Sequence, residues 1–173
     1  MNNEVTLLMV GTGGYASVYL REIFDHAAEN GIRLVGAVDP FVAKSPCAKE
    51  LQDNCIPVYD TLEEFYAKHT AQMAIVSTPI YLHAAQVITC MEHGSDVLCE
   101  KPLSGVSADG EILAAAAKEA GKFVMIGYQW SYSTAINALK EDILAGAYGK
   151  PVFLKTFTLW PRKKEYFARG TGW

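Results

Sequence analysis

The apolar positions of this chain fall into short runs separated by longer stretches with helical spacing. "VTLLMV" (5–10) is a continuous apolar run of strand length. "YASVYLREIFDHAAEN" (15–30) follows, with Val18, Ile23, Phe24 and Ala27 near helical spacing, and Gly31 supplies a helix stop. "RLVGAVD" (33–39) predicts a second strand, residues 43–54 a helix and "PVY" (57–59) a short third strand. Thr61 opens the next helix, and Glu64 completes a capping-box pattern with it. "MAIVST" (73–78) predicts a buried strand. Thr78-Pro79 then reads as an N-cap followed by proline at the first helical position, starting a helix that runs to about Glu92. "DVLCE" (96–100) is a strand, 107–120 an alanine-rich helix stopped by Gly121, and "KFVMIGY" (122–128) a further strand.

Strand then helix, repeated five or six times, specifies an α/β fold of the doubly wound, Rossmann type: a parallel sheet covered by helices on both faces. After residue 146 the texture changes. "GAYGKP" (146–151) is a break, and "VFLKTFTLW" (152–160) predicts a long strand with no helix after it. The expected organisation is one domain over 1–149, then the start of something else over 150–173.

Bulk properties exclude several classes. The 173 residues suffice for one domain with a sizeable core and are short for two. Half the residues are hydrophobic and a fifth charged, as in ordinary soluble proteins. A net charge of −4 offers no electrostatic footprint for nucleic acid or an anionic membrane. "MNNEVTLLMVG" places an acid, and no base, ahead of its apolar run, unlike a signal peptide, and no segment reaches membrane-spanning length. A cytoplasmic location is expected. Cys47, Cys55, Cys90 and Cys99 form no CxxC pair and no metal-type spacing with His26, His69, His83 or His93. Reduced structural thiols and no metal site are expected, with Cys99 singled out because it adjoins Glu100 and Lys101.

Chemistry enters at "GTGGYA" (11–16), where the first strand meets the first helix in a G-x-G-x-x-A pattern. Gly11 permits a tight turn, Gly13 lets backbone approach a pyrophosphate, and Ala16 lets the helix pack closely on the strand. The loop residues Gly11, Thr12, Gly13, Gly14 and Tyr15 are therefore candidate cofactor contacts. Ligand-free glycine turns give the same pattern, so context has to decide. Asp39 ends the second strand 23 residues after Ala16, where an acid can hydrogen-bond the adenosine ribose, with Pro40 beside it. That acid favours NAD over a 2′-phosphorylated cofactor, while Lys44 and Lys49 keep NADP possible. The plain alternative is a solvated carboxylate in a D-P turn. A P-loop is excluded because G-K-[ST] is missing, and no tyrosine has a lysine four residues on, as a short-chain dehydrogenase would need. A methyltransferase stays open at this point.

With "GTGGYA", Asp39, "STPIYLHA" (77–84) and "CEKPLS" (99–104) in order, the chain resembles the Gfo/Idh/MocA oxidoreductases, relatives of glucose-fructose oxidoreductase and inositol dehydrogenase. The resemblance runs from residue 5 to about 160. It implies a pocket at the carboxyl edge of the sheet and a dinucleotide cofactor, NAD with NADP as the variant. Ser77, Thr78, Pro79 and His83 would line its diphosphate and nicotinamide ribose. Glu100 would lie near that ribose, and Lys101 would point its ammonium at the nicotinamide and the substrate hydroxyl as the catalytic residue. Pro102 would fix the chain's exit, often through a cis bond. Gln129 and Trp130, in "GYQWSYS" (127–133), stand where the family faces its substrate, often with an arginine or asparagine that this chain lacks, and Gln129 is a further candidate cofactor contact.

The family's second domain, a mostly antiparallel sheet with an Asp/His pair, is expected to open with 152–160 and a loop over 159–173. The rest of that α+β domain is missing from these residues, so the expectation is a truncated chain or part of a longer one. The favoured expectation is an NAD(P)-dependent oxidoreductase acting on a hydroxyl or carbonyl of a sugar, polyol or related small molecule, inactive alone and homo-oligomeric. The alternative is a non-catalytic dinucleotide-binding module, and a methyltransferase leaves the E-K-P tip unexplained.

Overall fold

The computed structural model describes residues 4–168. These residues group into two compact units, the first ending at Gln129 and the second beginning at Trp130.

The first unit alternates as the apolar runs predict: β1 (Val5–Val10), α1 (Ala16–His26), β2 (Ile32–Val38), α2 (Ala48–Asp53), β3 (Val58–Tyr59), α3 (Leu62–Tyr66), β4 (Met73–Val76), α4 (His83–Glu92), β5 (Asp96–Cys99), α5 (Ala108–Ala120) and β6 (Val124–Ile126). All six strands are parallel, in the order β3-β2-β1-β4-β5-β6. Successive side chains of a strand point to opposite faces, which divides the core in two. Leu8, Val10, Val76 and Val97 pack with Phe65, Val87 and Leu113 from α3, α4 and α5. Leu7, Met9, Ala37 and Ile75 pack with Ala16, Leu20 and Leu51 from α1 and α2. Gly36 belongs to the face that α3 covers, because a Cβ there would stand 2.8 Å from the Phe65 ring.

Several local expectations need correction. The core face of α1 is Ala16, Leu20, Ile23, Phe24 and Ala27, and Val18 is exposed. A single helix over 43–54 does not form. A 3-10 turn, Val42–Lys44, ends at Ser45, whose ψ of 137 is the extended conformation a following proline favours, and α2 starts afresh at Ala48. Thr61 caps α3 through Glu64 N at 3.2 Å, but the Glu64 carboxylate reaches Asp60 N instead of Thr61 N. Thr78-Pro79 does not cap a helix. The Thr78 hydroxyl donates to Gln86 Oε1, a 3-10 turn spans Ile80–Leu82, and α4 begins at His83. Gly121 ends α5 as expected, in the left-handed conformation at φ 64.

In the second unit, α6 (Thr134–Leu144) is capped by Ser133, whose hydroxyl accepts from Ile136 N at 3.2 Å. The strand expected over 152–160 is not formed. A strand needs a neighbour for its backbone groups, and none pairs with it among the described residues. Val152, Phe153, Leu154, Phe157, Leu159 and Trp160 are exposed. The segment read as a loop over 159–173 carries a four-residue helix, α7 (Lys164–Phe167), near which the Arg162 guanidinium lies 4.0 Å from the Trp160 ring. Its end, 169–173, lies outside the described residues, as do 1–3 of the amino-terminal segment.

Candidate functional site

The carboxyl edge of the sheet gathers most of the expected residues because each follows a strand. Chain order reverses between β1 and β4, and ligands of open α/β sheets bind at such a switch point. There Gly11 N donates to Val38 O and Ser77 N to Val10 O, both at 2.8 Å, so the tips of β1, β2 and β4 are laced together. Gly11 has φ +88, and a Cβ on it would meet Ser77 O at 2.6 Å. Only glycine fits that turn.

Beyond Gly11 the loop opens. No atom lies within 4 Å of where Cβ atoms of Gly13 or Gly14 would stand, and no side chain caps α1. The amino terminus of α1 therefore presents backbone N–H groups and its dipole to an approaching anion. Tyr15 is exposed at its mouth. These features fit a dinucleotide phosphate.

Asp39 is engaged within the protein. Its Oδ2 accepts from Thr12 N at 2.8 Å and Thr12 Oγ1 at 2.6 Å, while Oδ1 accepts from Phe41 N at 2.8 Å. The Phe41 contact is the Asx-type turn of a D-P sequence, so the plain reading of this acid is also realised. A carboxylate offers about four lone-pair positions, which leaves about one for a ribose diol. Pro40 and Phe41 are exposed, and Lys44 Nζ lies 5.4 Å from the centre of the Phe41 ring. Lys49 is bound to Asp53.

His83 departs most from expectation. It is neither a surface residue nor a lining residue of an open cleft, being 1% exposed. Its Nδ1 lies 2.9 Å from Pro102 O and its Nε2 2.9 Å from Thr78 O, so the ring braces the two segments that carry the expected site. Pro79 is exposed, Ser77 and Thr78 partly so.

The pair at the tip of β5 is split by environment. Glu100 is 7% exposed, its backbone N donates to Val76 O, and its Oε2 accepts from Tyr19 Oη at 2.8 Å. Lys101 is exposed, joins Pro102 through a cis bond, and makes no ion pair among the described residues. Burial, then the hydrogen bond to Glu100 and its charge, hold the Tyr19 hydroxyl well above the ordinary tyrosine range. Burial, with the Glu100 charge behind it, pushes the Cys99 thiol up to about 12, which removes the reactivity its position suggested.

Tyr19 and Gly127 are the members that sequence reasoning missed. A Cβ on Gly127 would stand 2.6 Å from Glu100 Oε2 and 3.2 Å from Tyr19 Oη. A glycine closing the β6 run was the available signal for Gly127. Tyr19, 81 residues from its partner, had none. Gln129 ends the first unit, exposed, at the start of a 3-10 turn, and Trp130 opens the second. An open groove lined by Thr6, Arg33, Tyr66, Lys68 and His69 lies at the opposite, amino edge and contains none of these residues. Among the described residues no cluster of His, Cys, Asp and Glu could hold a metal ion, and no helix is long and apolar enough to cross a membrane.

Comparison with known proteins returns a consistent set. A family described as an oxidoreductase family with an NAD-binding Rossmann fold matches residues 5–128. The chain is 32% identical over 145 residues to 2,7-anhydro-N-acetylneuraminate hydratase of Mediterraneibacter gnavus, covering 84% of this chain and 37% of that protein. It is 26% identical over 156 residues to inositol 2-dehydrogenase of Rubrobacter xylanophilus, covering 89% and 44%. Among solved structures, the WlbA dehydrogenase from Bordetella pertussis, in complex with NADH and UDP-GlcNAcA, superposes with a TM-score of 0.76 at 23% identity, over 97% of this chain and 49% of that one. The chain thus spans less than half the length of each of these proteins.

Proposed function

The chain belongs to the Gfo/Idh/MocA oxidoreductase family, matching its NAD-binding Rossmann part, and on that premise we propose that it carries the nucleotide half of an enzyme exchanging hydride between NAD and a hydroxyl or carbonyl of a sugar, polyol or related small molecule. The observation that carries this reading is the convergence at one sheet edge of an uncapped α1, an open glycine loop, Asp39 and the Glu100-Lys101 tip. The names of the relatives add the substrate class, since inositol is a polyol and the other two act on or bind sugar derivatives.

In this reading Gly11 and Thr12 shape the loop from within, α1 with Gly13, Gly14 and Tyr15 holds the diphosphate, Asp39 the adenosine ribose, and Ser77, Thr78 and Glu100 the nicotinamide ribose. A bound nicotinamide supplies or accepts the hydride. Lys101 Nζ, the exposed cation at a rigid strand tip, would meet the reacting oxygen and stabilise the negative charge it carries while hydride is exchanged at the adjoining carbon. Asp39 also sets the preference for NAD, because a 2′-phosphate would add a like charge beside it. Gln129 stands on the nucleotide side of the site, and the exposed apolar residues after Gly149 belong to the substrate half, which residues 150–173 would open.

Titration of the chain with NADH and NADPH tests the nucleotide assignment. Turnover with polyols and sugars, followed at 340 nm, tests the chemistry. Tight NADH binding without turnover of any polyol or sugar by a polypeptide as long as the relatives would favour a non-catalytic module instead.

A further inference from the structure

We propose that Tyr19 is a positioning residue for the nicotinamide end of the site: its hydroxyl fixes the Glu100 carboxylate and thereby ties the helix behind the glycine loop to the strand tip that carries Lys101. The proposal rests on the nucleotide assignment above and goes beyond it, since no loop or tip motif contains Tyr19.

Three observations carry it. Tyr19 Oη donates to Glu100 Oε2 at 2.8 Å. Glu100 is almost fully buried and has no ion-pair partner among the described residues, so its charge depends on hydrogen bonds to stay oriented. Gly127 lies beside the bonded pair, where an added Cβ would stand 2.6 Å from that same oxygen and 3.2 Å from Tyr19 Oη. The carboxylate is thus held by a helix hydroxyl in a space that only a glycine at 127 leaves open. The Tyr19 ring is itself seated, edge-on to Tyr15 with centroids 5.6 Å apart. Tyr15 sits at the loop, so the Tyr15-Tyr19-Glu100 path runs from the phosphate end to the residue beside Lys101. Removing the hydroxyl leaves a buried acceptor short of a donor and lets the carboxylate turn, while the glycine loop and Asp39 keep their own bonds.

The test compares AMP, reduced nicotinamide mononucleotide and NADH as ligands of this chain by calorimetry. Tyr19→Phe should weaken NADH and the reduced mononucleotide about tenfold, the size expected for loss of a charged hydrogen bond, and leave AMP within about twofold. Glu100→Gln should act in the same sense, and the double variant should be no weaker than the worse single one. Gly127→Ala, whose Cβ would crowd Glu100 Oε2 and Tyr19 Oη together, should reproduce the split. AMP and NADH weakened alike would make Tyr19 a packing residue and overturn the proposal. So would unchanged NADH affinity in Tyr19→Phe. An unaltered chain that binds neither NADH nor AMP would instead overturn the nucleotide assignment, and this proposal with it.

Discussion

Thr12 and Asp39 meet through a single oxygen: Asp39 Oδ2 accepts both Thr12 N at 2.8 Å and Thr12 Oγ1 at 2.6 Å. Thr12 is fully buried, so the acid that ends β2 also fixes the middle of the glycine loop. Replacing it should therefore cost more than a ribose contact.

Unaltered, the chain should bind NADH at least tenfold more tightly than NADPH. Asp39→Ala should weaken NADH, narrow that gap and lower the melting temperature together, because two bonds to Thr12 are lost with the carboxylate. Thr12→Val should reproduce part of the thermal effect, while the cofactor preference stays. Equal affinity for both cofactors in the unaltered chain would remove Asp39 as the selector.

Lys101→Ala should leave NADH affinity within a few-fold, since the side chain is exposed and unpaired by any described acid. Wherever turnover of a polyol or sugar is measured, it should fall by ~10²–10⁴, the usual size of lost acid–base assistance. An unchanged turnover number would reduce Lys101 to a strand-end charge.

His83→Ala should destabilise the first unit by about 2–4 kcal/mol, through a buried hole and two carbonyls that lose the ring. Urea unfolding followed by tryptophan-independent circular dichroism measures this directly. A loss under about 0.5 kcal/mol would mean the ring braces nothing.

Cys55 is the exposed thiol, while Cys47, Cys90 and Cys99 are buried. A chromogenic disulfide reagent should titrate about one thiol in the folded chain and the remainder only after denaturant is added. Fast reaction of a second thiol in the native state would contradict the burial that raises the Cys90 and Cys99 values.

Stability should fall on the alkaline side. Folding raises the Cys90 thiol to about 11 and the Cys99 thiol to about 12 from an ordinary 9.0, in each case chiefly by burial. The neutral forms are thus favoured by the fold, and the unfolded chain releases these protons first. Stability is complete below pH 9 and is lost as pH climbs through the folded values, at about 1.4 kcal/mol per pH unit and group. The buried Tyr19 and Tyr66 hydroxyls, also raised, act in the same direction. A melting temperature flat from pH 8 to 11 would refute this.

How much of this was legible in the chain depended on distance along it. The strands were readable because both faces of β1, β4 and β5 are covered, which leaves continuous apolar runs. Gly11, Asp39 and Glu100 could be placed because each closes such a run. Partner choice was not readable. Thr78 looked like a cap until Gln86, eight residues on, took its hydroxyl, and His83 looked like a cleft residue until two carbonyls claimed its ring. The apolar run 152–160 has strand composition, but a strand is a property of pairs, and no described segment pairs with it. Helix α6 went unforeseen beside its aromatic neighbours, although Ser133 and the Ile136, Leu139, Ile143 spacing carried the pattern.

The position of β1 has a consequence for synthesis on the ribosome. Its first neighbour, β2, follows within one helix, but its other edge belongs to β4, where Val10 pairs with Val76. At roughly 5–20 residues per second, the nascent chain carries β1 with that edge unpaired for about 3–13 s. Leu7, Leu8, Met9 and Val10, all buried at completion, are then the stickiest surface it offers. The same strand that organises the finished sheet is thus the one a nascent-chain chaperone has most reason to hold.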